Sequence, residues 1–383
     1  MKLIKIIILG VTILILWNSC RYTDIGIQPE DLTINLRWIK AYPEETKEDV
    51  LMGLTWGLSF LGAAFPAPDL GTAVAWRNEN QFLLNLEKVG FDQEARRAWK
   101  AILDTLKKSE EYKLQGGIDV GRFITLTLNS TNHYYALTGA HERYADFRSK
   151  YNFDEKKVGI VKSTIAFGSR VIEISKAEQF KEIAFIANEG EGSVESGSFT
   201  QKEFEALDFM ANGQLRFALY DVNGNLKTSA SKSLTAAGKP AKCLWCHETS
   251  LIPPFVDENK LPGYYSIEEF KNIIANRMEI VKTYRDQLPS KIFSSIPNHT
   301  KVELLYLSFM EPSQERLSQE WGISLAETKQ KLANLPTHPH HEFSYLGEKL
   351  YNRNDVDHLA PFKNIEIPTD PRNSSAYEPD FIH

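Results

Sequence analysis

The stretch Cys243-Leu244-Trp245-Cys246-His247 is where residue type and spacing point most directly to chemistry. Two thiols three positions apart can each form a thioether to one vinyl group of a haem, and the adjoining imidazole can then ligate the iron from beneath the ring. Two other chemistries use the same thiol spacing. A redox dithiol usually starts a helix inside a βαβ unit, whereas Gly238-Lys239-Pro240-Ala241-Lys242 reads as a loop after a hairpin-like stretch. A four-ligand zinc site needs more partners. No second CxxC and no HxxxH pair occurs, which leaves His338, His340 and His341 as imidazoles to lend. Cysteine is scarce, three residues in 383, and two of the three fall in this motif. One motif implies one covalent haem c, with His247 as the proximal iron ligand.

The pentapeptide resembles the attachment sequence of c-type cytochromes. That resemblance implies one-electron chemistry and haem attachment outside the cytoplasm. The start of the chain agrees. Lys2 and Lys5 followed by the apolar run Ile6 to Trp17 read as an export signal over residues 1–19, too short for a comfortable membrane span. Leu16-Trp17-Asn18-Ser19-Cys20 resembles a relaxed bacterial lipoprotein cleavage box, departing from the common pattern at Trp17, where Leu is usual. Cleavage before Cys20 would make it the lipidated N-terminus; the alternative is an uncleaved N-terminal anchor. With Cys20 on lipid and Cys243 and Cys246 on haem, no cysteine remains for a disulfide. The expected location is the bacterial cell envelope, on its periplasmic or outer-membrane face, with the lipid as membrane contact.

Without residues 1–19, which carry two lysines and no acids, the chain keeps 42 basic and 50 acidic side chains, a net charge of −8. That balance disfavours nucleic acid as a partner. It also makes a decoy of residues 316–329, which resemble a helix-turn-helix with Gly322 in the turn and Ser324 with Glu327 starting the second helix. Two packed helices suffice there.

The elements that must position the motif read as an α+β chain. Residues 20–30 form a polar tether, and 31–157 a mainly helical N-terminal region. Within it, Val50 to Phe65 is a core helix whose Gly53 and Gly57 allow close approach, and residues 78–112 are helical in two pieces broken at Gly90. Phe123 to Leu128 reads as a β-type or buried stretch. Residues 158–255 are β-rich: Val158 to Ile165, Ser169 to Ile174 and Ile183 to Ala187 suggest strands, and Asn188 to Gly192 a turn. Leu215 to Tyr220 and Leu226 to Ser229 flank an Asn-Gly hairpin signal that leads into the haem loop. Asp221, Asn223 and Asn225 fail as a calcium loop, because Leu226 and Lys232 stand where Gly and Glu are needed.

Strands upstream of the motif make the architecture similar to β-sheet c-type haem proteins of the cytochrome c-prime-beta kind, over residues 158–255. Residues 256–342 read as a helical segment near the haem, with helices at Ser266 to Leu288 and Thr300 to Met310, and 343–383 as a Pro-containing wrap or loose tail. Ile252-Pro253-Pro254-Phe255 is a rigid apolar loop suited to the haem face or the core.

For the sixth iron position, Met310 is the favoured residue, since it precedes Glu311-Pro312 as a ligand loop would. Met210, Met278, His299, His338, His340 and His341 are further candidates, and an open site is the alternative. The expected function is one-electron transfer between redox partner proteins of the envelope. The rival is a haem enzyme or a small-gas or peroxide sensor with an open distal face, for which His133 and Tyr134 are candidate distal groups.

Overall fold

The computed structural model describes residues 26–67, 70–161, 163–252, 261–370 and 377–383. The export segment, Cys20 and the Pro253-Pro254-Phe255 loop lie outside these. Helical N- and C-terminal regions enclose a β-rich middle, an α+β fold.

The N-terminal region holds a sheet as well as helices. Strands β1 (Thr33–Arg37), β2 (Val74–Trp76), β3 (Gln81–Asn85) and β4 (Ile118–Asp119) lie in the order β2-β3-β1-β4. Around them pack α1 (Lys47–Phe60), α2 (Gln93–Lys108), α3 (Glu110–Gln115), α4 (Val120–Thr127), α5 (Thr131–Thr138) and α6 (Tyr144–Lys150). A reciprocal cap between Thr46 and Asp49 starts α1. A Cβ added at Gly53 would lie 2.7 Å from the Lys301 carbonyl oxygen, and one at Gly57 2.6 Å from Ile124 Cδ1. The two glycines thus let α1 meet its neighbours almost backbone to backbone. On α2 the expected stripe of Ala95, Trp99, Ile102, Leu103 and Leu106 is buried.

One expectation fails here, and one is resolved between its alternatives. The first helical piece, over residues 78–89, is β3 followed by a short 3-10 turn at Leu86–Lys88. Phe82 and Leu84 alternate into the core, a period of two that the partner strand β1 makes decisive. Phe123 to Leu128 is the buried stretch and not a strand, on helix α4 and its C-terminal cap. Asp119 starts that helix by accepting from the Arg122 N–H at 3.1 Å, and burial on all sides overrides the weak strand preference of its residues.

The middle region is a five-stranded antiparallel meander in chain order: β5 (Val158–Ile160), β6 (Arg170–Ile174), β7 (Ala184–Glu191), β8 (Thr200–Phe209) and β9 (Leu215–Asp221). The expected turn at Asn188 to Gly192 is instead the end of β7, with a register shift between Glu189 and Gly190. The Asn-Gly turn forms, with Gly224 at φ +79. Its return arm, however, is a single bridge between Tyr220 and Leu226 and not a strand. Ile172 pairs with Ala187, Ala187 with Glu205, and Glu205 with Leu219, so these four share one face of the sheet.

The C-terminal region contains α7 (Pro240–His247), α8 (Ile267–Asp286), α9 (Thr300–Met310), α10 (Gln314–Trp321), α11 (Leu325–Leu332) and α12 (Arg353–Val356). Ser266 and Glu269 form the expected capping box on α8. The helix pair at α10 and α11 turns at Gly322, φ +65, and buries Leu317, Trp321 and Leu332 in a small core of its own. Residues 377–383 lie against the N-terminal region, where Ser130 Oγ donates to the Pro379 carbonyl at 3.0 Å.

Candidate functional site

The motif sits on a helix, not in a loop. Pro240 occupies the first turn of α7, where its missing N–H costs nothing. Cys243, Cys246 and His247 occupy the later part of this eight-residue helix. The sheet around them is antiparallel, so the helical setting does not make a βαβ redox unit.

Cys243, Cys246 and His247 all open onto one partly open cavity. Its floor is the shared face of the meander: Arg170 and Ile172 from β6, Phe185 and Ala187 from β7, Glu205 and Leu207 from β8, Phe217 and Leu219 from β9. Leu251, with Phe270 and Ile274 from α8, closes the other side. The lining is mostly apolar with a few convergent polar groups, the usual character of a cofactor pocket.

His247 is prepared as a ligand. Its Nδ1 lies 3.2 Å from the Ser250 carbonyl oxygen, so Nδ1 carries the hydrogen and donates it, leaving the Nε2 lone pair available. Burial lowers its pKa and favours the neutral ring that a metal requires. The Phe217 ring packs 5.3 Å from it, centroid to centroid. Glu248 then leaves the helix with φ +53, a conformation L residues rarely adopt.

The thiols are unpaired. Burial, followed by the nearby Glu205 carboxylate, pushes the Cys243 thiol well above its ordinary pKa. A redox dithiol needs the reverse, a thiolate stabilised at a helix N-terminus or by cations. For zinc, no group of three or more His, Cys, Asp or Glu side chains is gathered among the described residues. His338 is bound to Glu311 at 2.9 Å, and His340 Nδ1 accepts from the Glu342 and Phe343 N–H groups, away from the cavity. Two free thiols, an oriented imidazole and an apolar wall on one cavity fit a covalently attached haem.

Other sequence-derived candidates lie elsewhere. Met310 ends α9, whose face toward α7 brings Tyr306 to 6.1 Å from Trp245, and neither Met310, Tyr306 nor Trp245 lines the cavity. Met278 comes nearer, its sulfur accepting from the Leu251 N–H at 3.5 Å, but it too stands behind the lining. Met210 packs beside Gly62. His299 meets Glu248 at 3.1 Å. Both nitrogens of His133 are engaged, one donating to the Leu126 carbonyl and the other accepting from the Phe381 N–H at 3.0 Å. Tyr134 accepts from the backbone of Phe217 at 3.1 Å. Both residues are structural.

Arg170 and Glu205 are cavity residues that the motif-centred reading missed. The available signal was strand alternation: Arg170 with Ile172, and Glu205 with Leu207, stand two apart and must share a face. The start of α7 is fastened as well. Lys239, 1 % exposed, is paired with the buried Glu378 and donates to the Thr369 carbonyl at 2.7 Å. Glu378 also accepts from the Thr131 N–H at 2.9 Å.

Comparison with known protein families, with curated proteins and with solved structures finds no match to this chain.

Proposed function

We propose that this chain is an exported, lipid-anchored, single-haem c-type cytochrome that passes one electron between redox partner proteins of the bacterial cell envelope. The observation that carries the reading is the convergence of Cys243, Cys246 and His247 on one largely apolar cavity, with His247 Nδ1 held by Ser250 so that Nε2 is free. Bound there, a haem supplies a one-electron redox couple. The two thiols would hold it by thioethers, His247 would ligate the iron, and the apolar side chains of the sheet face would cover it. Lipid attachment at Cys20 rests on the N-terminal sequence, and export rests on that sequence together with the haem attachment outside the cytoplasm that the resemblance to c-type cytochromes implies.

The test is the mature protein made in a host that attaches c-type haem. The expected result is a mass increase of one haem that survives denaturation and a c-type ferrous spectrum. Cys243→Ala with Cys246→Ala should abolish both while leaving the far-ultraviolet circular dichroism unchanged. Absence of covalent haem in the unaltered protein overturns the reading.

A second reading, a haem enzyme or small-ligand sensor, is favoured by one observation. Among the described residues lining the cavity there is neither a methionine nor a histidine other than His247. Carbon monoxide separates the two: a six-coordinate electron carrier resists it, and an open site binds it rapidly.

A further inference from the structure

The cavity wall contains a charge imbalance that electron storage alone does not call for. Arg170, Glu189 and Glu203 stand side by side on β6, β7 and β8, and Glu205 is two residues along from Glu203 on the same face. Glu203 has its own partners: the Lys227 ammonium, and Ser231, whose hydroxyl donates to it at 2.7 Å. That leaves Arg170 as the one guanidinium for two carboxylates. It is in contact with Glu189, and its Nη2 lies 3.5 Å from Glu205 Oε2.

The set is poorly satisfied for its burial. Arg170 is 5 % exposed and lines the cavity, yet its Nε has no hydrogen-bond partner, nor has Glu205 Oε1. The remaining charged groups facing the set do not restore the balance. Lys227 is committed to Glu203, Lys242 donates to the Ala236 carbonyl, and His247 is kept neutral by burial. Two carboxylates sharing one guanidinium in a low-dielectric wall cannot both stay ionised cheaply, so the pair keeps a proton and titrates as a unit. In keeping with that, burial and then the neighbouring Glu205 push Glu189 up to about 8, and burial raises Glu205 too.

We propose that Glu189 and Glu205, held around Arg170, are a redox-linked proton site. The pair would take up part of a proton from solvent when a haem held in the cavity is reduced by an external one-electron donor, and would return it to solvent when the electron leaves. This rests on the haem reading above. The charge added to the cavity on reduction would then be partly offset. A unit of negative charge added within a cavity of this kind strengthens proton binding to a neighbouring carboxylate on the order of tenfold, which moves about half a proton at a pH close to the pair's titration. Glu205, with 18 % of its side chain exposed, is the member that meets solvent and so carries the proton in and out.

The full-length haem-loaded protein tests this in two steps. Covalent haem is first established by mass and by the ferrous spectrum; its absence takes down both this proposal and the function it rests on. Given haem, reduction in weakly buffered solution near pH 8 with an indicator dye should show uptake of about half a proton per electron. The midpoint potential should fall with rising pH over the same range. Glu205→Gln should flatten that slope, and Glu205→Gln with Glu189→Gln should abolish it, with haem content and absorption maxima unchanged. Haem present with no proton uptake on reduction overturns this proposal alone. So does a pH slope that survives in Glu205→Gln, which also serves if the double variant does not fold.

Discussion

Two buried clusters set arginine among carboxylates, and they differ in the ratio of one to the other. In the first, Glu320 lies between two guanidiniums, Arg353 at 2.8 Å and Arg122 at 3.4 Å, with Arg122 also on Glu111 and Asp357, each at 2.8 Å. Arg122 and Arg353 both stack on Phe309. In the second, Glu189 and Glu205 share Arg170. Burial acts to raise Glu320 and Glu111 in the first and Glu189 and Glu205 in the second. Around Glu320, Arg353 and Arg122 overcome it and hold the group at about 2; around Arg170 one cation does not, and Glu189 stands at about 8. Glu111, which has Arg122 alone, is likewise pushed up, to about 7, so for these carboxyls the direction of the shift follows the number of cations in contact with each, not the depth of burial. The surroundings differ in the same sense. The first cluster ties α3, α4, α10 and α12 together inside packed protein, and the second faces a cavity.

Breaking the first cluster should have the largest effect. Glu320→Ala leaves two guanidiniums buried without their shared carboxylate and is expected to cost about 3–5 kcal/mol in urea unfolding. A cost below that of an ordinary surface change would mean the cluster ties nothing.

The pH dependence of stability sharpens the contrast, because the two shifts have opposite signs. Glu320 has a folded pKa below its unfolded value of 4.5, so its stabilisation is complete above 4.5 and is lost as pH falls toward about 2. Glu189 has a folded pKa above 4.5, so between 4.5 and about 8 the folded state binds more protons than the unfolded one, and stability falls as pH rises through that window. Glu111, raised by burial to about 7, adds to the same fall. Thermal unfolding of the haem-free chain should therefore show a weaker acid limb in Glu320→Gln and a shallower decline toward pH 8 in Glu189→Gln. Identical profiles for the two variants would erase the distinction.

The smallest effect on stability is expected for Glu205→Gln, about 0.5 kcal/mol or less, since the side chain is partly exposed and one of its oxygens has no partner. A loss of several kcal/mol there would make the second cluster a structural tie like the first.

The pentapeptide was legible because thioether and axial-ligand chemistry leave no freedom in residue type or spacing. The helices with explicit start signals were legible for a similar local reason: Ser266 with Glu269, and Ser324 ahead of Glu327. What escaped depends on partners distant in sequence. Phe82 and Leu84 alternate over too short a span to announce β3 without β1 beside it. The strand β8 was hidden by Lys202, Glu203, Glu205 and Asp208, charges whose partners Glu191, Lys227, Arg170 and Arg216 come together only through sheet register and loop closure. Met310 stands where a ligand loop would put it, but α9 is committed to close packing on α1 through Gly53, and no local pattern reveals that. The three motif residues could thus be singled out in advance as sharing a site, while most of the wall of the cavity they open onto could not.

The ion pair between Lys239 and Glu378 makes the start of α7 and the returning C-terminal segment a single cooperative unit. If the segment lifts, Lys239 loses its counter-charge and keeps only the Thr369 carbonyl, which belongs to the same returning stretch. Neither end can open locally without charging the other with an uncompensated buried ammonium or carboxylate. Amide hydrogens in α7 and in residues 377–383 should therefore exchange with one shared opening free energy, which native-state hydrogen exchange would read directly.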